Sequence, residues 1–411
     1  MKKALVIFTL FAQTLLLISC KNEADDYIDP RGTDYAGSES CIQCHQQQHE
    51  TSILSAHYKA SLPATQKNIL GHFTNGKNTF VYDKNTKLVM EKRYDSLYQV
   101  LYENGKEVKA YPFDVLFGFK HAQTSGYWKN HNFYELPISY YKSINNWATS
   151  PDYSATNADF SKKIQKECFS CHSSNIGSNC VTTSSSEAYN YMGMEVHNFM
   201  NKNTLIYGID CERCHGPAKE HVRTHLKFPD LKKAQNMVPF RNLNRQQRID
   251  GCALCHSGND KIKLKSRFQF KPGESLTDYF QENRLPKDSL NLDVHGNQLG
   301  LLSQSKCFQK SQTMDCITCH NPHQDIPQKN ISYSKICMSC HQSTQHKAVT
   351  LKTISKSELP NNCVECHMPI QNSKVIRFQQ SNNPAINSYL LRTHKIAVYP
   401  NSTEIKNKQH K

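Results

Sequence analysis

The sequence is short of the material that fills an ordinary protein core. Only 37% of its 411 residues are hydrophobic and the mean hydropathy is −0.67. Average soluble domains run about 45–50% apolar on a slightly different residue set. Acidic side chains are also scarce, 35 against 50 Lys and Arg, for a formal net charge of +15. Beyond Ala4–Ile18 no stretch is apolar enough to span a bilayer, which excludes a polytopic membrane protein. Helical repeats of about 34 residues are missing. The one low-complexity tract is the short run Thr182–Ser186. Disorder is nonetheless excluded, because 20 Tyr and 18 Phe bring the aromatic content to 10%. The length suits two or three domains or a single large one. What abounds is cysteine, 17 residues, and histidine, 20 residues. Disulfide scaffolds belong to short secreted chains. Something other than aliphatic side chains must therefore fill this interior.

The N-terminus indicates the compartment. Lys2 and Lys3 precede the apolar stretch Ala4–Ile18. That stretch is shorter than the roughly 20 residues of a spanning helix and fits the h-region of a secretory signal. It ends Leu17-Ile18-Ser19-Cys20, which resembles a bacterial lipobox, where the Cys becomes the lipid-bearing first residue of the mature chain. The alternative is an ordinary signal peptide or an uncleaved anchor with a chance Cys. The reading is a leader over 1–19, lipidation at Cys20 and a polar tether over 20–40. Lys21 resembles the outer-membrane sorting pattern. The expected location is the cell envelope, as an outer-membrane lipoprotein facing the periplasm or the cell surface.

The other cysteines recur in one pattern. C-x-x-C-H occurs seven times, at Cys41, Cys44 and His45; Cys168, Cys171 and His172; Cys211, Cys214 and His215; Cys252, Cys255 and His256; Cys316, Cys319 and His320; Cys337, Cys340 and His341; and Cys363, Cys366 and His367. This is the covalent attachment motif of c-type haem. Two thiols one helical turn apart can each add to a vinyl group of one porphyrin. The adjacent His then lies under the ring as the proximal iron ligand. Zinc ribbons also use C-x-x-C pairs but do not need a His after every second Cys. A thioredoxin-like motif would occur once. The expectation is seven covalent haems c, with Cys180 and Cys307 left over as a disulfide or as two free thiols.

Spacing divides the chain. The second motif starts 127 residues after the first, and the last six fall within 200 residues, roughly 33 per haem. At that density the haems themselves are the expected core, wrapped by short helices and loops. Residues 72–147 differ, being rich in Tyr, Phe and Val. They alternate at Thr79-Phe80-Val81-Tyr82 and Leu97–Tyr102, with turn dipeptides Asn75-Gly76 and Asn104-Gly105. The predicted fold class is mainly α with much irregular structure, a haem-filled core and a small antiparallel β insertion over about 72–147. The expected segments are a first-haem segment 41–71, a β-rich insertion 72–160, a six-haem cluster 161–371 and a C-terminal wrapping segment 372–411.

Thirteen histidines remain as candidate distal ligands: His49, His57, His72, His121, His131, His197, His221, His225, His295, His323, His346, His394 and His410. Seven irons could all be closed by a second His, or one could keep an open face for chemistry.

Several stretches carry a family resemblance. They include Gly118-Phe119-Lys120-His121-Ala122-Gln123, Glu135–Tyr141 with Trp147, Gly208-Ile209-Asp210-Cys211-Glu212-Arg213-Cys214-His215-Gly216-Pro217, Arg267-Phe268 with Pro272-Gly273-Glu274, and Gln304–Phe308. Cys319-His320-Asn321-Pro322-His323, Cys366-His367-Met368-Pro369 and Thr393-His394-Lys395-Ile396 complete the set. The chain resembles exported multihaem c-type cytochromes that often carry tetratricopeptide repeats. More distantly it resembles the tetrahaem cytochrome and hydroxylamine oxidoreductase group of ammonia oxidisers. It departs by having no such repeats, so a docking role for them does not carry over. The resemblance implies distal ligands at His57, His121, His221, His295, His323, His346 and His394. His49 is the alternative to His57, and His197 and His225 are the alternatives to His346.

Two functions follow. The first is electron transfer between cell-envelope redox partners, quinol-linked or soluble cytochromes, with a membrane contact through the lipid anchor. The second is a reductase or oxidoreductase of a small nitrogen or sulfur oxyanion at one open-faced haem. Pentahaem nitrite reductases carry a C-x-x-C-K haem, and none of these seven motifs has Lys in that place. Nucleic acid is not an expected partner, because the compartment is wrong and Lys and Arg are spread along the chain. The leader removes Lys2 and Lys3. With ionised propionates each haem adds about −1 when ferric and about −2 when ferrous, so the assembled protein is only mildly basic when oxidised and near neutral when reduced.

Overall fold

The computed structural model describes residues 28–184, 194–281, 292–325, 331–343, 346, 359–383 and 385–399. The expected leader, Cys20 and most of the tether lie outside them, as does His410. No helix among the described residues is long and apolar enough to cross a membrane.

The chain is not mainly α. Helix accounts for 26% and strand for 29%, in several antiparallel sheets. Thr79–Val81, Thr86–Arg93, Ser96–Glu103 and Lys106–Pro112 form a four-stranded meander. Its last hairpin turns at Asn104-Gly105, where both φ angles are positive (50° and 78°), as the tightest hairpin turns require. A second, seven-stranded sheet begins at Ser61–Pro63 and ends at Lys163–Ile164. It thus extends beyond 72–147 on both sides. Phe80, Leu88, Met90, Leu116, Ile138 and Trp147 are sealed among the strands, so this part owns a conventional core. Truncating such an aromatic to Ala costs about 3–5 kcal/mol.

Two further hairpins occur where the sequence shows little alternation. Ser173–Ser184 pairs with Met194–Tyr207, and Ile370–Gln379 pairs with Ile386–Arg392. The second is fastened to both sheets. Its Gln379 amide donates to Thr149 Oγ1 at 3.0 Å, and Ser381 Oγ accepts from the Val81 amide at 2.8 Å. Phe378 stacks on Tyr141 with centroids 4.1 Å apart. Polar strands of this kind are stabilised by long-range pairing, which local composition does not report.

Most of the α-helices carry part or all of a C-x-x-C-H motif, and several are no longer than the motif itself. Cys211–His215 and Cys363–His367 consist of the five motif residues alone. Other motifs end Arg245–His256 and Ile331–Cys340, form the 3-10 turn Cys316–Thr318, or begin in the single turn Lys166–Phe169. The first motif lies in Glu39–Ser52, which leaves helical geometry at His45 (φ −117°, ψ 37°). A helical turn puts residues i and i+3 on one face, so each motif presents both thiols together.

Candidate functional site

Caps set the motif turns. Asp210 accepts the Arg213 amide at 2.8 Å and thereby caps the third motif. Asn244 and Gln247 form a reciprocal capping box ahead of the fourth. Asp315 and Thr318 do the same at the fifth. Such caps contribute about 1 kcal/mol each. Asp210 and Glu212 also hold Arg31, at 2.9 Å each, while Asp29 grips the same guanidinium at 2.8 Å. Glu212 accepts the amides of Ala36, Gly37 and Ala218 as well. The segment leading into the first motif is thus pinned to the third.

The motifs converge on one continuous cavity of 3320 Å³. Single small-molecule sites run about 300–1,000 Å³. All fourteen motif cysteines and all seven motif histidines line it. So do His57, His121, His221, His295, His323, His346 and His394, together with the alternatives His49 and His225. His72 and His131 do not.

Four motif histidines face a second histidine from elsewhere in the chain. His215 and His323 have Nε2 atoms 3.5 Å apart, ring centroids 5.7 Å apart and planes within 8°. His256 faces His57 with centroids 6.1 Å apart, His320 faces His394 at 6.1 Å, and His367 faces His346 at 6.2 Å. Metal–imidazole bonds are about 2.0–2.1 Å for zinc and similar for other first-row metals. Two imidazoles on opposite sides of one ion therefore hold their nitrogens about 4 Å apart, close to what His215 and His323 show. His121, His221 and His295 have no ring contact with a motif histidine among the described residues. His295 is near enough to add to the lowering of His172, after burial.

Second partners orient several rings. Nδ1 of His172 lies 3.3 Å from the Ala60 carbonyl, that of His256 3.1 Å from Gln298 Oε1, and that of His367 2.9 Å from the Ala397 carbonyl. An acceptor at Nδ1 selects the tautomer whose Nε2 is free to bind a metal. Burial first, and the facing histidine after it, push His57, His215 and His394 down to about 4. Burial lowers His172, His256, His320 and His323 too. All are then neutral at physiological pH, as ligation requires.

The donors fit haem better than zinc. Among the described residues no three His, Cys, Asp or Glu side chains converge as a metal cluster. Zinc needs four protein donors in a structural site, whereas haem iron needs two axial ones. Thiols of different motifs touch, Cys41 with Cys211, Cys171 with Cys255, and Cys252 with Cys316, so the first motif adjoins the third, the second the fourth, and the fourth the fifth. Cys307 has no disulfide partner among the described residues and lines the cavity. Arg213 and Arg267, which the sequence places in resembling segments but to which it assigns no role, are buried beside the motifs.

No family model matches the chain, and no curated protein does. Among solved structures it resembles the crystal structure of the outer cell wall cytochrome OcwA, with a TM-score of 0.51 at 15% identity, covering 91% of this chain and 82% of that one. At that identity the likeness is one of architecture: the chain shares the fold of an outer cell wall cytochrome.

Proposed function

We propose that this chain is an exported heptahaem c-type cytochrome that transfers electrons between redox partners of the cell envelope. The observation that carries this reading is the single cavity lined by fourteen motif cysteines and seven motif histidines, four of them faced by a second histidine. In it, His45, His172, His215, His256, His320, His341 and His367 are proximal ligands. His57, His121, His221, His295, His323, His346 and His394 are the distal ones. Haem bound there supplies a one-electron Fe(III)/Fe(II) couple. The chain supplies the rest. Its cysteines anchor covalently, its acceptors at Nδ1 fix ring orientation, and paired imidazoles close both faces against substrate. The touching thiols keep neighbouring attachment points within reach of one another, which suits electron hopping. Cys20 carries the lipid in this reading. The eight residues from Cys20 to Ile28 reach at most about 29 Å, so the first and third motifs lie nearest the membrane.

Intact mass and EPR of the purified ferric protein test the reading. Seven covalent haems, all low-spin and unchanged by cyanide or nitrite, are expected. One high-spin haem that binds either ligand would replace the wire with an enzyme at an open face.

A further inference from the structure

Two arginines with largely buried side chains face carboxylates. Arg31 meets Asp29, Asp210 and Glu212, and Arg248 meets Asp315 at 2.6 Å. Arg213 and Arg267, each 9% exposed, make no ion pair among the described residues. Their donors go to the motifs themselves. Arg213 lies between the cysteines of the third motif, and its Nη2 donates to the Ser170 carbonyl at 3.2 Å. Ser170 lies between the cysteines of the second motif. The Cys255 thiol of the fourth motif points at the same carbonyl, 3.9 Å away. Arg267 Nε donates at 2.9 Å to the Leu254 carbonyl, between the cysteines of the fourth motif, and its Nη2 donates to Asn259 at 3.1 Å. Nε of Arg213 is buried without a hydrogen-bond partner among the described residues. Aromatic faces complete the surroundings. Arg213 stands 5.4 Å over Phe268, and Arg267 stands 4.7 Å over Phe280. Two guanidinium groups with no protein carboxylate beside them among the described residues therefore bracket the point where the second and fourth motifs meet.

Burying a guanidinium with no protein carboxylate beside it is expensive, and arginine cannot relieve the cost by losing a proton. Hydrogen bonds to two motif backbones would be satisfied as well by neutral donors. What a guanidinium adds is a fixed positive field in a region of low dielectric. Reduction of ferric to ferrous haem adds one electron and no positive charge, so a fixed cation beside it favours the reduced state.

We propose that Arg213 and Arg267 raise the reduction potential of the haems attached at Cys168 and Cys171 and at Cys252 and Cys255, making these two the electron-holding stations of the array; this rests on the heptahaem reading. The electron comes from the envelope donor and leaves to the acceptor, while both arginines keep their protons.

The test is a potentiometric titration of the holoprotein, followed optically and by EPR, on R213Q, R213K, R267Q and R267K. In each Gln variant one or two of the seven components should move to more negative potential, with the rest unmoved. A tenfold fall in the reduction equilibrium corresponds to about 59 mV for one electron. The Lys variants, which keep the charge, should titrate close to the parent. Gln variants that titrate like the parent, or Lys variants that shift as far as the Gln ones, overturn the proposal. Should R213Q lose haem, R267Q decides, because Arg267 does not line the cavity. Fewer than seven haems in the parent, by intact mass, is a failure of the heptahaem reading instead.

Discussion

His323 is the residue on which the geometry bears most directly. Its ring lies nearly parallel to that of His215, and the two Nε2 atoms are 3.5 Å apart. Replacing it with Ala should leave seven attached haems and convert one low-spin EPR signal to high-spin. His72→Ala is the matched control, since His72 is hydrogen-bonded to Asn145 and lies off the cavity. A spectrum unchanged in H323A, or changed equally in H72A, removes His323 from the ligand set. Gly208 is a second sensitive position. Its φ is +63°, and an added Cβ would sit 1.9 Å from the Tyr58 carbonyl oxygen. The Gly208 amide donates to Ser61 Oγ at 2.9 Å, and the next amide, of Ile209, donates to the His57 carbonyl at 2.9 Å. A non-glycine residue pays about 1–2 kcal/mol for this conformation alone, and the backbone contact adds to it. G208A should lower Tm by more than the conformational cost and loosen the third motif together with His57.

Elements here are held by charge and caps more than by length. The segment from Asp29 to Gly37 has little apolar surface to bury. It is fixed to the third motif by Arg31, whose side chain and three carboxylate partners are each at most 6% exposed. Removing one partner of a buried pair costs about 3–5 kcal/mol, because the other charges stay buried and unmatched. R31A should therefore destabilise by about that amount in thermal unfolding, and limited proteolysis should open the segment before Glu39. Asp315 works at the fifth motif in two ways, capping the turn through Thr318 and pairing with Arg248. D315A should cost about 1–3 kcal/mol and lower haem incorporation at Cys316 and Cys319, as read by mass of the peptide carrying them. D315N retains the cap and should lose less.

At the scale of the whole molecule, the composition leads one to expect that the chain cannot fold without haem. The structure divides that expectation. The two sheets between Ser61 and Ile164 enclose their own aromatic and aliphatic core. The motif-bearing half has smaller apolar clusters around the cavity, such as Leu254, Phe270 and Tyr279. A chain with all fourteen motif cysteines changed to Ser should keep strand circular dichroism and a protease-resistant piece within about 61–164, while the rest is digested. Complete digestion would show that the sheets too depend on haem.

The cofactor is legible in the chain because C-x-x-C-H is a local chemical device: two thiols one helical turn apart and an adjacent imidazole need no distant residue to be recognised. The hairpin at Asn104-Gly105 is legible for the same reason, since the turn is coded by two adjacent residues. The β content outside 72–147 was not, because Ser173–Ser184 and Ile370–Arg392 are polar strands that exist through their partners. The pairing of histidines was equally out of reach. His57 follows the first motif in sequence and faces the fourth, while His323 follows the fifth and faces the third. Sequence by itself determined that seven C-x-x-C-H turns follow a short apolar N-terminal stretch. Only the tertiary structure decided which imidazoles meet across the cavity, and where Arg213 and Arg267 bring positive charge against the motifs, because most of those contacts join residues tens to hundreds of positions apart.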